Sequence, residues 1–286
     1  MPCRSLLLSA LVAASLLTTA VAAQDGPPRL SPRATVTQVV GITDLEISYC
    51  RPAVRGRQIW GALVPYDKVW RTGANEVTTF KATTDVKIEG KPLAAGTYAL
   101  VTIPRQDRWT IIFNKDAEQW GAFDYDEKKD VLRVDVKPVQ SNLQERMEFL
   151  FDEFNDDSAD VVLRWENVAV PFTVTVDTPK VAFAKAEKEL AGTPKANALT
   201  SWARWFQEHD ASQAEALGWV QKAIAMPEGG TYWAYAVQAR LLAKAGKASE
   251  AKQSAQKALE AAKTYKGAEP ITDDVAKLQK EMASWG

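Results

Sequence analysis

Histidine and cysteine are scarce in this chain of 286 residues: one histidine, His209, and two cysteines, Cys3 and Cys50. That supply leaves almost nothing for a zinc site, a histidine-based triad or a disulfide framework. An excess of charge is also missing, since 35 basic side chains face 36 acidic ones. A chain so balanced has no basic stripe to neutralise a phosphate backbone, and nucleic acid is not an expected partner. Beyond the first residues no apolar run reaches the roughly 20 residues that span a bilayer. The whole chain is 46% hydrophobic and 9% aromatic, enough for an ordinary buried core.

Met1 to Ala23 has Arg4 at its start, an apolar stretch from Leu6 to Leu17, and small residues at Ala20, Ala22 and Ala23. This three-part pattern predicts a secretory signal peptide over residues 1–23, cleaved to leave a soluble periplasmic or extracellular protein. Ser9, Ser15, Thr18 and Thr19 dilute the stretch as a membrane anchor. Cys3 precedes the apolar stretch, which is not where a lipoprotein carries its acylated cysteine. Cleavage would leave Cys50 as the only thiol, so no internal disulfide is expected. A short linker, 24–30, follows.

From about Thr35 to Val176 apolar residues recur at every second position, as in Leu45, Ile47, Tyr49 and in Leu132, Val134, Val136. Period two with frequent turns predicts half-buried antiparallel strands in a β-sandwich or jelly roll over residues 31–178. After Asp177-Thr178-Pro179 the period becomes helical. Segments Val181–Leu190, Ala196–Glu208, Gln213–Ala225, Tyr232–Ala245, Ser249–Lys263 and Thr272–Ser284 each read as a helix, forming a second unit over 179–286. Ala216 and Ala251, like Ala223 and Ala258, are 35 residues apart in matching contexts. That spacing resembles a tetratricopeptide array. Two such units and a terminal helix are few for independent stability, so the apolar Val181, Phe183, Trp202, Trp205 and Phe206 are expected to rest on the β unit or on a protein partner.

Polar chemistry concentrates in the β half. Tyr49, Arg51, Arg57, Trp60, Trp70, Arg71, Asn75 and Glu76 are the candidate ligand-binding residues. Guanidinium forks suit carboxylate or phosphate oxygens, Asn both donates and accepts, and aromatic faces stack on sugars. A small anion, a glycan or a peptide terminus would fit such a pocket. The same residues also make a self-contained loop, with Arg71 paired to Glu76, Asn75 and Gly73 closing a turn, and the tryptophans in the core. No catalytic residue, cofactor or metal ligand is assigned. The Asn155–Asp160 stretch lacks the spacing and glycine of an EF-hand and reads as a turn.

The strings Ser31-Pro32-Arg33-Ala34, Tyr49-Cys50-Arg51-Pro52, Gly56-Arg57-Gln58-Ile59-Trp60-Gly61 and Val69-Trp70-Arg71-Thr72-Gly73-Ala74-Asn75-Glu76-Val77-Thr78 occur in that order. With Leu93-Ala94-Ala95-Gly96-Thr97-Tyr98 and Trp109-Thr110-Ile111-Ile112-Phe113-Asn114 they resemble the bacterial domain-of-unknown-function family numbered 2911. The resemblance covers about Ser31 to Val176; it implies an exported β domain and supplies no activity. Cys50 departs from the serine usual in that family. The expected function is that of an exported, non-catalytic ligand- or protein-binding scaffold. The alternative is a hydrolase or isomerase acting on a sugar or other small molecule, with Glu76 as acid or base and Arg51 or Arg71 binding charge.

Overall fold

The computed structural model describes residues 27–267 and 270–286. The expected signal peptide lies outside the described residues. Ten strands precede six helices. The strands are β1 (Arg33–Val40), β2 (Thr43–Cys50), β3 (Thr79–Ala82), β4 (Val86–Ile88), β5 (Lys91–Leu93), β6 (Gly96–Ile103), β7 (Trp109–Asn114), β8 (Asp130–Val136), β9 (Val139–Asp152) and β10 (Ser158–Thr175). They form a six-stranded sheet, β1-β2-β3-β6-β7-β8, and a four-stranded sheet, β5-β4-β10-β9, with every pairing antiparallel.

Alternation builds the core between the sheets. In β2, Leu45, Ile47 and Tyr49 point inward and Glu46 and Ser48 do not. β10 shows how a long strand keeps its apolar face. Ala159, Val161, Leu163 and Trp165 are buried at odd positions, and Val170, Phe172, Val174 and Val176 at even ones. The change of parity falls at Glu166, whose φ of 56° accompanies a break in register with β9. At each of two register shifts flanking it β9 advances four residues against two of β10, and the left-handed turn at Glu166 moves the following β10 side chains to the opposite face, so the inward stripe continues. At one end of the core Trp60, Trp70, Trp109 and Trp165 pack together, Trp60 edge-on to Trp109 with ring centroids 4.9 Å apart.

Strict alternation fails in β6 and β7. Every residue of β7 is buried. The outer face of the six-stranded sheet carries a second small cluster there, Val77, Ala99, Val101 and Ile112, covered by Val69, Ile103 and Tyr125. Loops laid over the sheet thus bury a face that period two assigns to solvent.

The helices are α1 (Thr178–Leu190), α2 (Ala196–Glu208), α3 (Gln213–Ile224), α4 (Tyr232–Lys244), α5 (Ala248–Ala262) and α6 (Thr272–Ser284). Asp177 caps α1 by accepting from the Lys180 amide, and Pro179 sits in its first turn. Ala203, Ala216, Ala223, Ala234, Ala251, Ala255 and Ala258 are fully buried, and their small side chains let neighbouring helices approach closely. Phe183 stacks on Trp219 and meets Phe206 edge-on, filling the space beneath α2 and α3. Among the described residues no helix is long and apolar enough to cross a membrane.

The β unit meets the helices at a tight joint. Ile42 packs against the apolar cluster of α1–α4, and Val181 against the sandwich core. Gly41, at φ 58°, opens the two-residue turn between β1 and β2, and a Cβ there would lie 2.4 Å from Thr178 Oγ1. Only glycine meets both the turn and the contact.

Candidate functional site

The Trp70–Thr78 string closes on itself. Trp70 exchanges backbone hydrogen bonds with Thr102 of β6, at 2.8 and 2.9 Å, and its indole donates to Gly73 O at 3.1 Å. Thr72 is buried at φ 55°, a costly conformation for a β-branched residue. Its hydroxyl donates to Thr102 Oγ1, and its carbonyl accepts from Thr78 Oγ1 at 2.7 Å. Gly73 runs so close to β2 that a Cβ would lie 3.0 Å from Cys50 O. Asn75, at φ 57°, donates from Nδ2 to Ser31 O at 3.1 Å. The backbone strain therefore has a visible result: Glu76 is delivered to the outer face of the six-stranded sheet, where it forms a bridge with Trp120.

An ionic cluster forms at Glu76. Arg29 Nη1 lies 2.7 Å from one carboxylate oxygen and 2.8 Å from the other. Arg33 Nη2 stands 3.5 Å away, and the Cys50 thiol donates to Glu76 Oε2 at 3.3 Å. Cys50 reaches this face because β2 alternates, sending Ser48 and Cys50 opposite to Tyr49. Burial opposes ionisation of Glu76, but hydrogen bonds from Arg29, its own backbone and Cys50, with the Arg29 charge, outweigh it and hold the carboxyl at about 2. Burial pushes the Cys50 thiol up; a hydrogen bond with Asn75 opposes this, and the Glu76 carboxylate adds to it. Cys50 is thus a protonated donor rather than a nucleophile.

Beside the cluster lies a cavity of about 220 Å³, bordered by Arg33, Ser48, Cys50, Glu76, Thr79 and Gln119. Gln119 is only 6% exposed. Its Nε2 donates to Asp116 O at 2.7 Å, which fixes the orientation of the amide and leaves Oε1 buried without a partner among the described residues.

The eight sequence-predicted residues separate into three groups. Tyr49, Trp60 and Trp70 belong to the core, Tyr49 edge-on to Phe149 at 5.0 Å and also bordering the cavity. Arg51 and Arg57 hold the loop after β2. Arg51 Nε donates to Met147 O at 2.8 Å and Nη2 approaches Glu148 at 3.4 Å. Arg57 donates to Val54 O and Ala53 O. Arg71, Asn75 and Glu76 gather on the outer side with Cys50. The expected Arg71–Glu76 pair does not form: between them the left-handed residues Thr72 and Asn75 turn the chain, and Arg29 takes the carboxylate. Burial pulls the Arg71 guanidinium below its usual value, the nearby Cys50 raises it, and Nε has no hydrogen-bond partner among the described residues.

Arg29, Arg33, Ser48, Cys50 and Gln119 are site residues that the sequence reading did not single out. For Ser48 and Cys50 the signal was present, since both occupy the outward parity of β2. No local signal joins Arg29 to Glu76 across 47 residues. Elsewhere, Asn155 Oδ1 accepts from the amides of Asp157 and Ser158, so that stretch closes its own turn.

Comparison with curated proteins and with solved structures gave no match. A family match covers residues 31–174, taking in every residue that borders the cavity, while Arg29 stands just before it. The chain belongs to the family described as Protein of unknown function (DUF2911).

Proposed function

We propose that this is an exported binding protein whose β unit takes a small polar ligand into the cavity beside Glu76, with the helical array as a tetratricopeptide-like scaffold for a protein partner. One observation carries the ligand site. Arg33 borders the cavity and stands 3.5 Å from a carboxylate that Arg29 already holds at 2.7 Å, so it is an under-used cation at a concave site. Guanidinium groups with spare donors are suited to an incoming oxyanion. The 35-residue repetition of buried alanines, Ala216 and Ala223 against Ala251 and Ala258, supports the repeat reading.

Acid–base chemistry gains little from this geometry. A carboxyl at about 2 has no proton to give near neutrality and is a weak base. Arg51, the other charge proposed for such a mechanism, is engaged with Met147 O and Glu148.

Isothermal titration of the purified protein with a panel of small organic acids, inorganic phosphate and neutral sugars tests the reading. Saturable binding that weakens at least about tenfold in Arg33→Met is expected. Binding unaffected by Arg33→Met, or no binding across the panel, would overturn it.

A further inference from the structure

Two open sheets have four outer strands, β1, β8, β5 and β9, and three of them are guarded against pairing with another chain. β5 has three residues, Lys91 and Pro92 among them. β8 carries Asp130, Arg133 and Asp135. β9 carries Glu145, Arg146, Glu148 and Asp152, and the loop after β2 occupies its edge through Val54 N to Glu145 O and Met147 N to Pro52 O. Short length, charge, proline and a covering loop are the usual protections of an edge. β1 has none of them: it runs eight residues in unbroken register with β2, without proline and without charge after Arg33. We infer that β1 is the interface between two copies of this chain, which pair through it antiparallel about a two-fold axis at Thr37 and join their six-stranded sheets.

The hairpin decides which backbone groups are free. Val40 and Thr43 close the two-residue turn of Gly41 and Ile42, and at the far end Pro32 O accepts from Arg51 N. Even-numbered residues of β1 therefore bond to β2, and the amides and carbonyls of Thr35, Thr37 and Val39 point away from it. None of these has a backbone partner among the described residues, and the Gln38 side chain bends back to donate to Val39 O at 2.9 Å. A row of alternating donors and acceptors is met in full only by another extended backbone. Val36, on the core side of the strand, is only half-buried because nothing lies beyond it in the sheet.

The strand and the charges at its ends fit a second copy. With the axis at Thr37, Thr35 stands opposite Val39 of the second copy and Thr37 opposite its own counterpart. The outer face is then a row of β-branched side chains in which no charge faces a like charge. Arg29 and Arg33 gather near the start of β1 around the single carboxylate of Glu76. Beside its end, Asp156 and Asp157 are exposed and border a hollow with Val39 and Gly41. Antiparallel pairing sets the basic end of each copy beside the acidic end of the other. The interface is independent of the ligand cavity, and its test alters no residue that borders that cavity.

Sedimentation velocity of the purified protein over a range of concentrations reads the assembly, and hydrogen exchange of the same samples reads the contact. A dimer is expected, with the amides of Thr35, Thr37 and Val39 gaining at least about tenfold protection as it forms, while those of Val36 and Gln38, already bonded to β2, change little. In Thr37→Lys two like charges meet at the axis, so that variant should be monomeric, and mixing it with Thr37→Glu should restore a dimer. A protein that stays monomeric, a dimer without protection at the three amides, or open-ended polymers in place of a dimer would overturn the inference. So would Thr37→Lys dimerising as strongly as the wild type. Exchange in the unaltered protein decides even where a variant does not fold.

Discussion

Arg29 and Glu76, 47 residues apart, meet through one guanidinium nitrogen placed 2.7 and 2.8 Å from the two carboxylate oxygens. The contact fastens the segment before β1 to the loop before β3 and has a definite pH signature. Glu76 titrates at about 2 in the folded protein against 4.5 ordinarily. A depressed carboxyl stabilises fully above its unfolded value, and that stability is lost as pH falls from about 4.5 through 2. The full shift would be worth about 3 kcal/mol, reduced by solvent at the partly exposed Arg29. Urea denaturation at pH 7 and pH 3 should show the wild type losing more stability than Glu76→Gln. Equal losses would refute the linkage.

Gly73 should not tolerate a side chain. Alanine would press Cβ to 3.0 Å from Cys50 O and 3.1 Å from Thr78 Oγ1, in a loop already tied by both residues. The expected penalty for Gly73→Ala is about 1–3 kcal/mol, read as a lower urea midpoint. An unchanged midpoint would mean that the loop relaxes freely.

Trp109 is buried in the indole group, 2% exposed and meeting both Trp60 and Trp70 edge-on. Its truncation to alanine removes a large buried side chain and should cost about 3–5 kcal/mol. Near-ultraviolet circular dichroism should lose intensity beyond that of one chromophore, because the remaining rings lose their fixed neighbour. Loss of a single tryptophan's contribution alone would argue against a packed cluster.

The sequence change at Asp177-Thr178-Pro179 suggests an accessible linker, yet the structure makes it a joint. Val176 N donates to Asp157 O at 2.7 Å, Thr178 Oγ1 donates to Asp156 O, and Thr178 is buried against Gly41. The exposed segment is Ala191–Lys195, between α1 and α2. A protease of broad specificity should therefore cut within 191–195 before 176–179. First cleavage at 176–179 would contradict the joint.

Periodic elements were legible and long-range ones were not. The bounds of α2 and α6 agree with the sequence reading, because each is an amphipathic segment that starts just after a proline, Pro194 or Pro270. β2 is readable for the same reason at period two. β7 is not, because its outward residues are buried by Val77 and its neighbours from a distant loop. The site follows the same division. The Trp-Arg-Thr-Gly-Ala-Asn-Glu string announces itself, but adjacency pointed to Arg71 as the partner of Glu76. Which arginine arrives depends on two left-handed residues and on the path of the preceding segment, neither of which periodicity records.

The four-stranded sheet is ordered β5-β4-β10-β9, so of its two interior strands, β4 and β10, the second is the last strand made. Val174 pairs with Ile88, a partner 86 residues behind it. During synthesis from the N-terminus, the edge of β4 that pairs with β10 stays open until residue 175 has emerged, and nothing short of the whole β unit can complete this sheet. Pairings of such long sequence separation fold slowly and leave apolar strands open meanwhile. A chain truncated before β10 would therefore be a client for holding chaperones, while one truncated within the helices would retain a complete sandwich.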